Sequence, residues 1–314
     1  MLVKVPKTVI GSFPVKNKSL EDAIKEVVET QLRYGINIVS DGEQRADMIN
    51  YFGDLPGIGK GPRGPFVQSK ILPYSSPENF IKFNDLEIVR KYLVERGRGD
   101  VDVKITITGP ITLAFYTALN GLKYYSSLRD VSLYNDFAEA LAPIVFEAYK
   151  RGYYIQIDEP ALSAKVIDSK LGVSIVNKLF SSLPNYYKNE RASVHVCGQL
   201  NPKIFRDLLD LDVHVISLAF SASNVQKNVE LLGKQILHEN GKGLGVGCID
   251  VQAKSLDDVE DVDTVAKRIM RIREIVSEEH IAVVHPDCGL RPLSEEVAEA
   301  ILDRMNKAMA IVDS

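Results

Sequence analysis

The sequence predicts an α/β fold, a (β/α)8 barrel of the TIM type with a long insertion after its second strand. Three observations predict it. Short β-branched runs alternate with longer amphipathic segments along the chain. About eight such strand-helix units fit its 314 residues, as a barrel of this kind requires. Nearly every strand-like run ends in a polar group, placing polar side chains at one rim. Alternation of strand and helix implies a parallel sheet with right-handed crossovers. A doubly wound open sheet is the alternative, because pattern alone does not prove closure. It lacks its usual support here, since no run is followed by GxGxxG or a P-loop.

The first run is Thr8 to Ser12. A helix follows, N-capped by Ser19, with Leu20, Ile24, Val27, Val28 and Leu32 on one face. The second run, Ile36 to Ser40, ends in Asp41-Gly42-Glu43. The third is Val103 to Thr108 and leads into a helical pattern through Asp136 to Lys150. Tyr153 to Ile157 ends in Asp158-Glu159-Pro160, and Ala192 to Gly198 carries His195 and Cys197. Val213 to Leu218 ends near Ala219, and Gly243 to Ile249 ends at Asp250. Ile281 to His285 ends in Pro286-Asp287-Cys288-Gly289, and a last helix runs from about Ser294 to Ala310. Residues 1–314 thus form a single barrel domain, with 53–102 as an insertion. The Gly- and Pro-dense stretch Gly53 to Pro65 reads as neither helix nor strand. Leaving the end of strand two, it is expected to be a lid or substrate loop.

Composition narrows the function. A net charge of −4 gives no bulk attraction to nucleic acid. No signal-peptide h-region and no apolar run of transmembrane length occurs, so no membrane partner is expected. Three cysteines, Cys197, Cys248 and Cys288, do not make a disulfide framework and suggest a reducing cytoplasm.

His195 and Cys197 share one face of a strand, because strand side chains alternate. Cys288 follows the last strand, whose end faces theirs across a barrel mouth. One imidazole and two thiolates form a soft N/S donor set suited to Zn2+, with a fourth position open as in catalytic sites. The bland reading is a buried histidine beside two inert cysteines. Thiolate ligands leave zinc a modest Lewis acid, fit to hold a substrate thiol as thiolate. Glu43 and Asp158, nearby acids, can bind a substrate ammonium. An amino-acid thiol therefore fits, though not uniquely.

At these residues the sequence resembles the catalytic C-terminal domain of cobalamin-independent methionine synthase. The matching segments are TVIGSFP (Thr8 to Pro14), DGEQRADMINYF (Asp41 to Phe52), TGPIT (Thr108 to Thr112), QIDEPAL (Gln156 to Leu162), HVC (His195 to Cys197) and HPDCGL (His285 to Leu290). They come in family order and span nearly the whole chain. The resemblance implies a zinc barrel that methylates the sulfur of homocysteine to give methionine. It implies His195, Cys197 and Cys288 as zinc ligands, Glu43 and Asp158 as catalytic-site acids at the amino group, and Ser12 at the carboxylate.

Four departures bear on the donor. The family's N-terminal barrel is absent, and single-barrel relatives point to a donor other than folate polyglutamate, such as a methyl-corrinoid protein. Tyr116 lies near the position of a folate-associated tryptophan, where it would contact the donor. Ala219 falls at the family's glutamate zinc ligand, leaving the fourth position to water, substrate or Cys248. Gln252 falls at the family's proton-shuttling histidine and cannot supply a proton. The other readings are methyl or alkyl transfer to another thiol such as coenzyme M, a metal-free enzyme run by Asp158, Glu159 and Asp250, and a non-catalytic barrel. His285 is expected to orient the cysteine loop rather than to act as a ligand.

Overall fold

Alternation along the strands sorts side chains into two layers, and this positions the site. In the computed structural model, which describes residues 4–314, the strands are β1 (Ile38–Val39), β2 (Ile58–Gly61), β3 (Gly64–Val67), β4 (Asp102–Thr108), β5 (Tyr154–Asp158), β6 (Ala192–Val196), β7 (Val215–Ala219), β8 (Gly243–Gly247) and β9 (Ile281–His285). Seven of them form one sheet in the order β1-β4-β5-β6-β7-β8-β9, every pair parallel. The N-terminal segment meets both edges of this sheet. Lys7 bridges Val284 of β9, and Thr8 bridges Ile38 of β1. The sheet is therefore strongly curled.

Ile105, Ile107, Ile155, Ile157, Val194, Val196, Ile216 and Leu218 point to its convex side and pack with helix residues such as Val27, Leu86 and Leu141. The intervening positions are equally buried but polar: Lys104, Thr106, Gln156, Ser193, His195, Ser217 and His285. A small apolar layer of Ile38, Tyr154, Val215 and Val283 closes the concave side beneath them. Buried polar groups persist only where they are bonded to one another or to a ligand, so this inner layer marks the site.

The helices follow local rules. Leu20–Arg33 begins at Ser19, whose hydroxyl accepts the Asp22 amide. Glu295–Val312 begins at Ser294, which accepts the Val297 amide. Among the described residues no helix is long and apolar enough to cross a membrane.

Three expectations are corrected. Thr8 to Ser12 is not a regular strand; only the bridges at Lys7 and Thr8 remain of it. Residues 53–102 are not one inserted loop. Nor is the stretch Gly53 to Pro65 without regular structure: the first part of 53–102 contains the antiparallel hairpin β2-β3, in which Gly61 opposes Gly64 across a two-residue turn. Gly64 sits at φ +105, which a glycine adopts freely. Their second part is the helix Ile81–Glu95, which packs on the helix Leu20–Arg33 and on β4 and so serves as the ordinary crossover between β1 and β4. That helix buries Lys82 and Asp85 on its inner face, which blurs its apolar stripe in the sequence.

Candidate active site and metal centre

A cavity of about 210 Å³ opens where the strands end. Its wall includes Ser12, Glu43, Asp158, His195, Cys197 and Cys288. Six residues expected at the site thus share one cavity. Tyr116 does not join them: it lies on the helix Pro110–Asn120, 47% exposed, outside this wall. No residue of 53–102 lines the cavity either.

Strand register explains the meeting. Asp158 of β5 pairs with His195 of β6, and His195 pairs with Ser217 of β7. The ligand atoms of His195, Cys197 and Cys288 all lie within 4.8 Å of one another. Tetrahedral zinc with bonds of about 2.0–2.3 Å needs donors about 3.5–4 Å apart, a small contraction from this arrangement. His195 Nε2 is buried without a hydrogen-bond partner among the described residues, whereas its Nδ1 lies 2.9 Å from Ser217 Oγ. An orphaned buried nitrogen beside two sulfurs is a cost unless something binds there. These residues therefore fit a metal ion. The two thiols titrate as a pair: the hydrogen bond to Cys197 holds Cys288 well below the ordinary thiol value, and the same contact pushes Cys197 up.

Cys288 is tethered from the far side. The carboxylate of its neighbour Asp287 accepts the amides of Phe220, Ser221 and Ala222 at 2.9–3.0 Å, tying the loop after β9 to the loop after β7. Burial raises the Asp287 pKa to about 6 against the pull of those amides. The Leu290 amide donates to the Ser12 carbonyl at 2.8 Å. A Cβ at Gly289 would come within 2.2 Å of Ser12 Oγ, so a larger residue there would push the serine hydroxyl out of its present position.

The acidic wall is held from beneath. Glu43 adopts φ +53, an uncommon conformation for a residue with a side chain. Lys82 Nζ donates to Glu43 Oε1 at 2.8 Å and to Thr106 Oγ1 at 2.5 Å. Burial pulls Lys82 down, but Glu43 and Asp41 outweigh it and hold it above the usual lysine value. Arg291 Nη1 donates to the carbonyls of Glu43 and Ala46 at 2.8 and 3.1 Å. Asp158 Oδ1 accepts from Gln156 Nε2 at 2.7 Å. Burial raises the Asp158 pKa, and burial lowers that of Lys104, which bonds Gln156 Oε1 at 2.7 Å.

A sequence-family profile described as "Cobalamin-independent synthase, Catalytic domain" matches residues 5–310. The chain belongs to this cobalamin-independent synthase family. It is 31% identical to the methionine synthase of Methanothermobacter marburgensis, over 96% of this chain and 98% of that one. It is 29% identical to the methionine synthase of Methanocaldococcus jannaschii, over 97% and 98%. Its fold is like that of a B12-independent methionine synthase from Shewanella, solved with selenomethionine, at a TM-score of 0.76 and 21% identity over 99% and 98%. A methyltransferase from Methanosarcina mazei shares it at 0.66 and 15% over 100% and 96%.

In this synthase domain several strand-end groups serve the fold instead of the cavity. Glu159 accepts the amides of Ile111 and Thr112 and the Thr112 hydroxyl, capping the helix Pro110–Asn120. Asp250 closes a local turn by accepting the Gln252 amide, and Gln252 is exposed. Cys248 is fully buried and stands outside the His-Cys-Cys group, and Ala219 at the end of β7 offers no ligand atom. Sequence reasoning missed Lys82, Lys104, Ser217 and Arg291. The lysines left one faint signal, a cation at a position whose neighbours are all core-forming. Ser217, in an apolar strand, left none.

Proposed function

We propose that the protein is a zinc-dependent methyltransferase that moves a methyl group to the thiol of L-homocysteine to form methionine, on a complete (β/α)8 barrel. The single observation that carries this is one small cavity whose wall holds three soft donors, one buried and one half-buried carboxylate, and a serine. The soft donors suit the substrate sulfur, Glu43 and Asp158 suit its ammonium, and Ser12 suits its carboxylate. At about 210 Å³ the cavity is smaller than the roughly 300–1,000 Å³ typical of drug-sized ligands. An amino acid fits, and a donor the size of a folate or a corrinoid has to approach over the rim.

His195, Cys197 and Cys288 would hold the zinc, which when bound favours the ionised, nucleophilic form of a substrate thiol. The chain itself binds and orients. Asp158, fixed by Gln156, and Glu43, fixed by Lys82, clamp the amino group, so the sulfur is held in line with the donor methyl. Gln252 gives the leaving group no proton. A donor whose leaving group needs none, such as a methyl-corrinoid protein, fits better than a methyl-folate. Transfer to a thiol without an ammonium, such as coenzyme M, would leave the negative charge of the Glu43 and Asp158 wall without a substrate cation.

The test is zinc per chain in purified protein beside Cys288→Ala, followed by methionine formation from methylcobalamin and from methyl-folate. About one zinc lost in the variant together with methyl transfer supports the reading. Protein that stays metal-free with zinc supplied, or makes methionine without it, refutes it.

A further inference from the structure

The concave layer contains a hydrogen-bond chain that the substrate clamp does not use. It runs from His195 Nδ1 to Ser217 Oγ at 2.9 Å, from Ser217 Oγ to His285 Nε2 at 2.7 Å, and from His285 Nδ1 to the Pro286 carbonyl at 2.7 Å. It links β6, β7 and β9, skipping β8 between them. Gly245 of β8 makes the crossing possible: a Cβ there would lie 2.9 Å from Ser217 Cβ and 3.1 Å from His285 Nε2.

The chain has one direction. Its terminal group is a carbonyl, which only accepts, so His285 Nδ1 carries a proton. His285 is buried with no carboxylate among its hydrogen-bond partners, and an unpaired buried imidazolium is costly, so the ring is neutral. Its Nε2 then accepts, and among the described residues the donor that reaches it is the Ser217 hydroxyl. With its single proton committed, Ser217 Oγ accepts from His195, which therefore holds its proton on Nδ1. The remaining nitrogen, Nε2, keeps its lone pair, and it is the buried nitrogen without a partner beside Cys197 and Cys288.

We infer that Ser217 and His285 are positioning residues that fix His195 as its Nδ1-protonated tautomer and so present Nε2 as a ready metal donor. The inference rests on the proposed metal site, but tautomer and metal affinity are each read without methyl transfer. An outer hydrogen-bond partner of a ligating histidine is typically worth about 10–100-fold in metal affinity. No sequence motif announces Ser217, and the role assigned to His285 differs from orienting the cysteine loop, although the Pro286 bond serves that as well.

The experiment uses the full-length protein. Nitrogen-15 NMR of histidine-labelled, metal-free protein reads the His195 tautomer, assigned by His195→Gln. Competition with a chromophoric chelator reads zinc affinity. The expected result is an Nδ1–H tautomer in the wild type, a shift toward Nε2–H or a mixture in Ser217→Ala, and a 10–100-fold weaker zinc affinity in that variant. His285→Leu, which removes the acceptor from Ser217, should act the same way and serves where Ser217→Ala fails to fold. His285→Gln, which restores an acceptor, should recover part of the affinity. An Nε2–H tautomer in the wild type overturns the inference, as does Ser217→Ala folding normally with unchanged zinc affinity. Failure of the wild type to bind zinc at all would instead sink the proposed function, with the tautomer still readable.

Discussion

Replacing Lys82 by methionine should be among the most damaging single changes beneath the site, although the residue touches no substrate. Its side chain is 1% exposed, that of Glu43 is 8%, and their charges lie 2.8 Å apart. At an effective dielectric of 20 this separation corresponds to about 6 kcal/mol of gross attraction. Much of that is offset by taking both ions out of water. Removing the lysine alone keeps the desolvation of Glu43 and Asp41 and discards the cation that compensates it, so Lys82→Met should cost about 3–5 kcal/mol. Lys82→Met combined with Glu43→Gln removes both charges and should cost less than the two single changes added, by about 1–3 kcal/mol. Urea unfolding of the four proteins measures this, provided the slope with denaturant stays constant. If Lys82→Met loses under about 1 kcal/mol, or the single losses simply add, the ion pair does not hold Glu43 in place and the reasoning fails.

Three further outcomes are expected. Asp158→Asn should keep its zinc but weaken homocysteine binding by about 10–100-fold in a calorimetric titration, the worth of one charged hydrogen bond; release of zinc would show that Asp158 supports the metal instead. Glu159→Ala should lower unfolding stability by about 1–3 kcal/mol, because three donors at the start of Pro110–Asn120 lose their acceptor, while zinc content stays constant; a metal-depleted variant would contradict its capping role. Asp41, buried with one carboxylate oxygen unbonded, is pushed by burial from 3.8 up to about 6. A raised carboxyl contributes stability that is present below pH 3.8 and lost as pH rises through about 6. Asp41→Asn should therefore gain on the wild type by up to about 3 kcal/mol between pH 4 and pH 7.5, and a pH-independent difference would rule this out.

Most of the sheet was legible because β-branched runs bounded by turn residues leave little choice. Ile281 to His285 is a strand with the expected ends, and Ala192 to Val196 falls within the expected run. The His-Cys-Cys cluster was legible for a simple reason: strand periodicity fixes which side chains share a face, and the curl of the sheet brings Cys288 to them. What escaped notice was polar structure that mimics something else. The helix Ile81–Glu95 hid because its buried face carries Lys82 and Asp85. The hairpin β2-β3 hid because its glycines and prolines look like irregular chain, although the turn places Gly64 where only a glycine is comfortable. Ser217 hid because a serine in a strand has no chemical signature until His195 and His285 are known to flank it. Tyr116 was placed by resemblance alone, and the helix that carries it turns it outward.

The cavity joins residues far apart in the polypeptide: Ser12 lies against Gly289, and the amide of Leu290 reaches back to the Ser12 carbonyl. During synthesis, then, the pair Cys197 and Cys288 does not exist until residue 288 has left the ribosome. A nascent chain that has not reached Cys288 has His195 and Cys197 but lacks the third member of the cluster. Synthesis of β9 and the loop after it thus becomes the event that assembles the His-Cys-Cys cluster, so a product truncated before Ile281 should lack the soft-metal affinity expected of the longer chain.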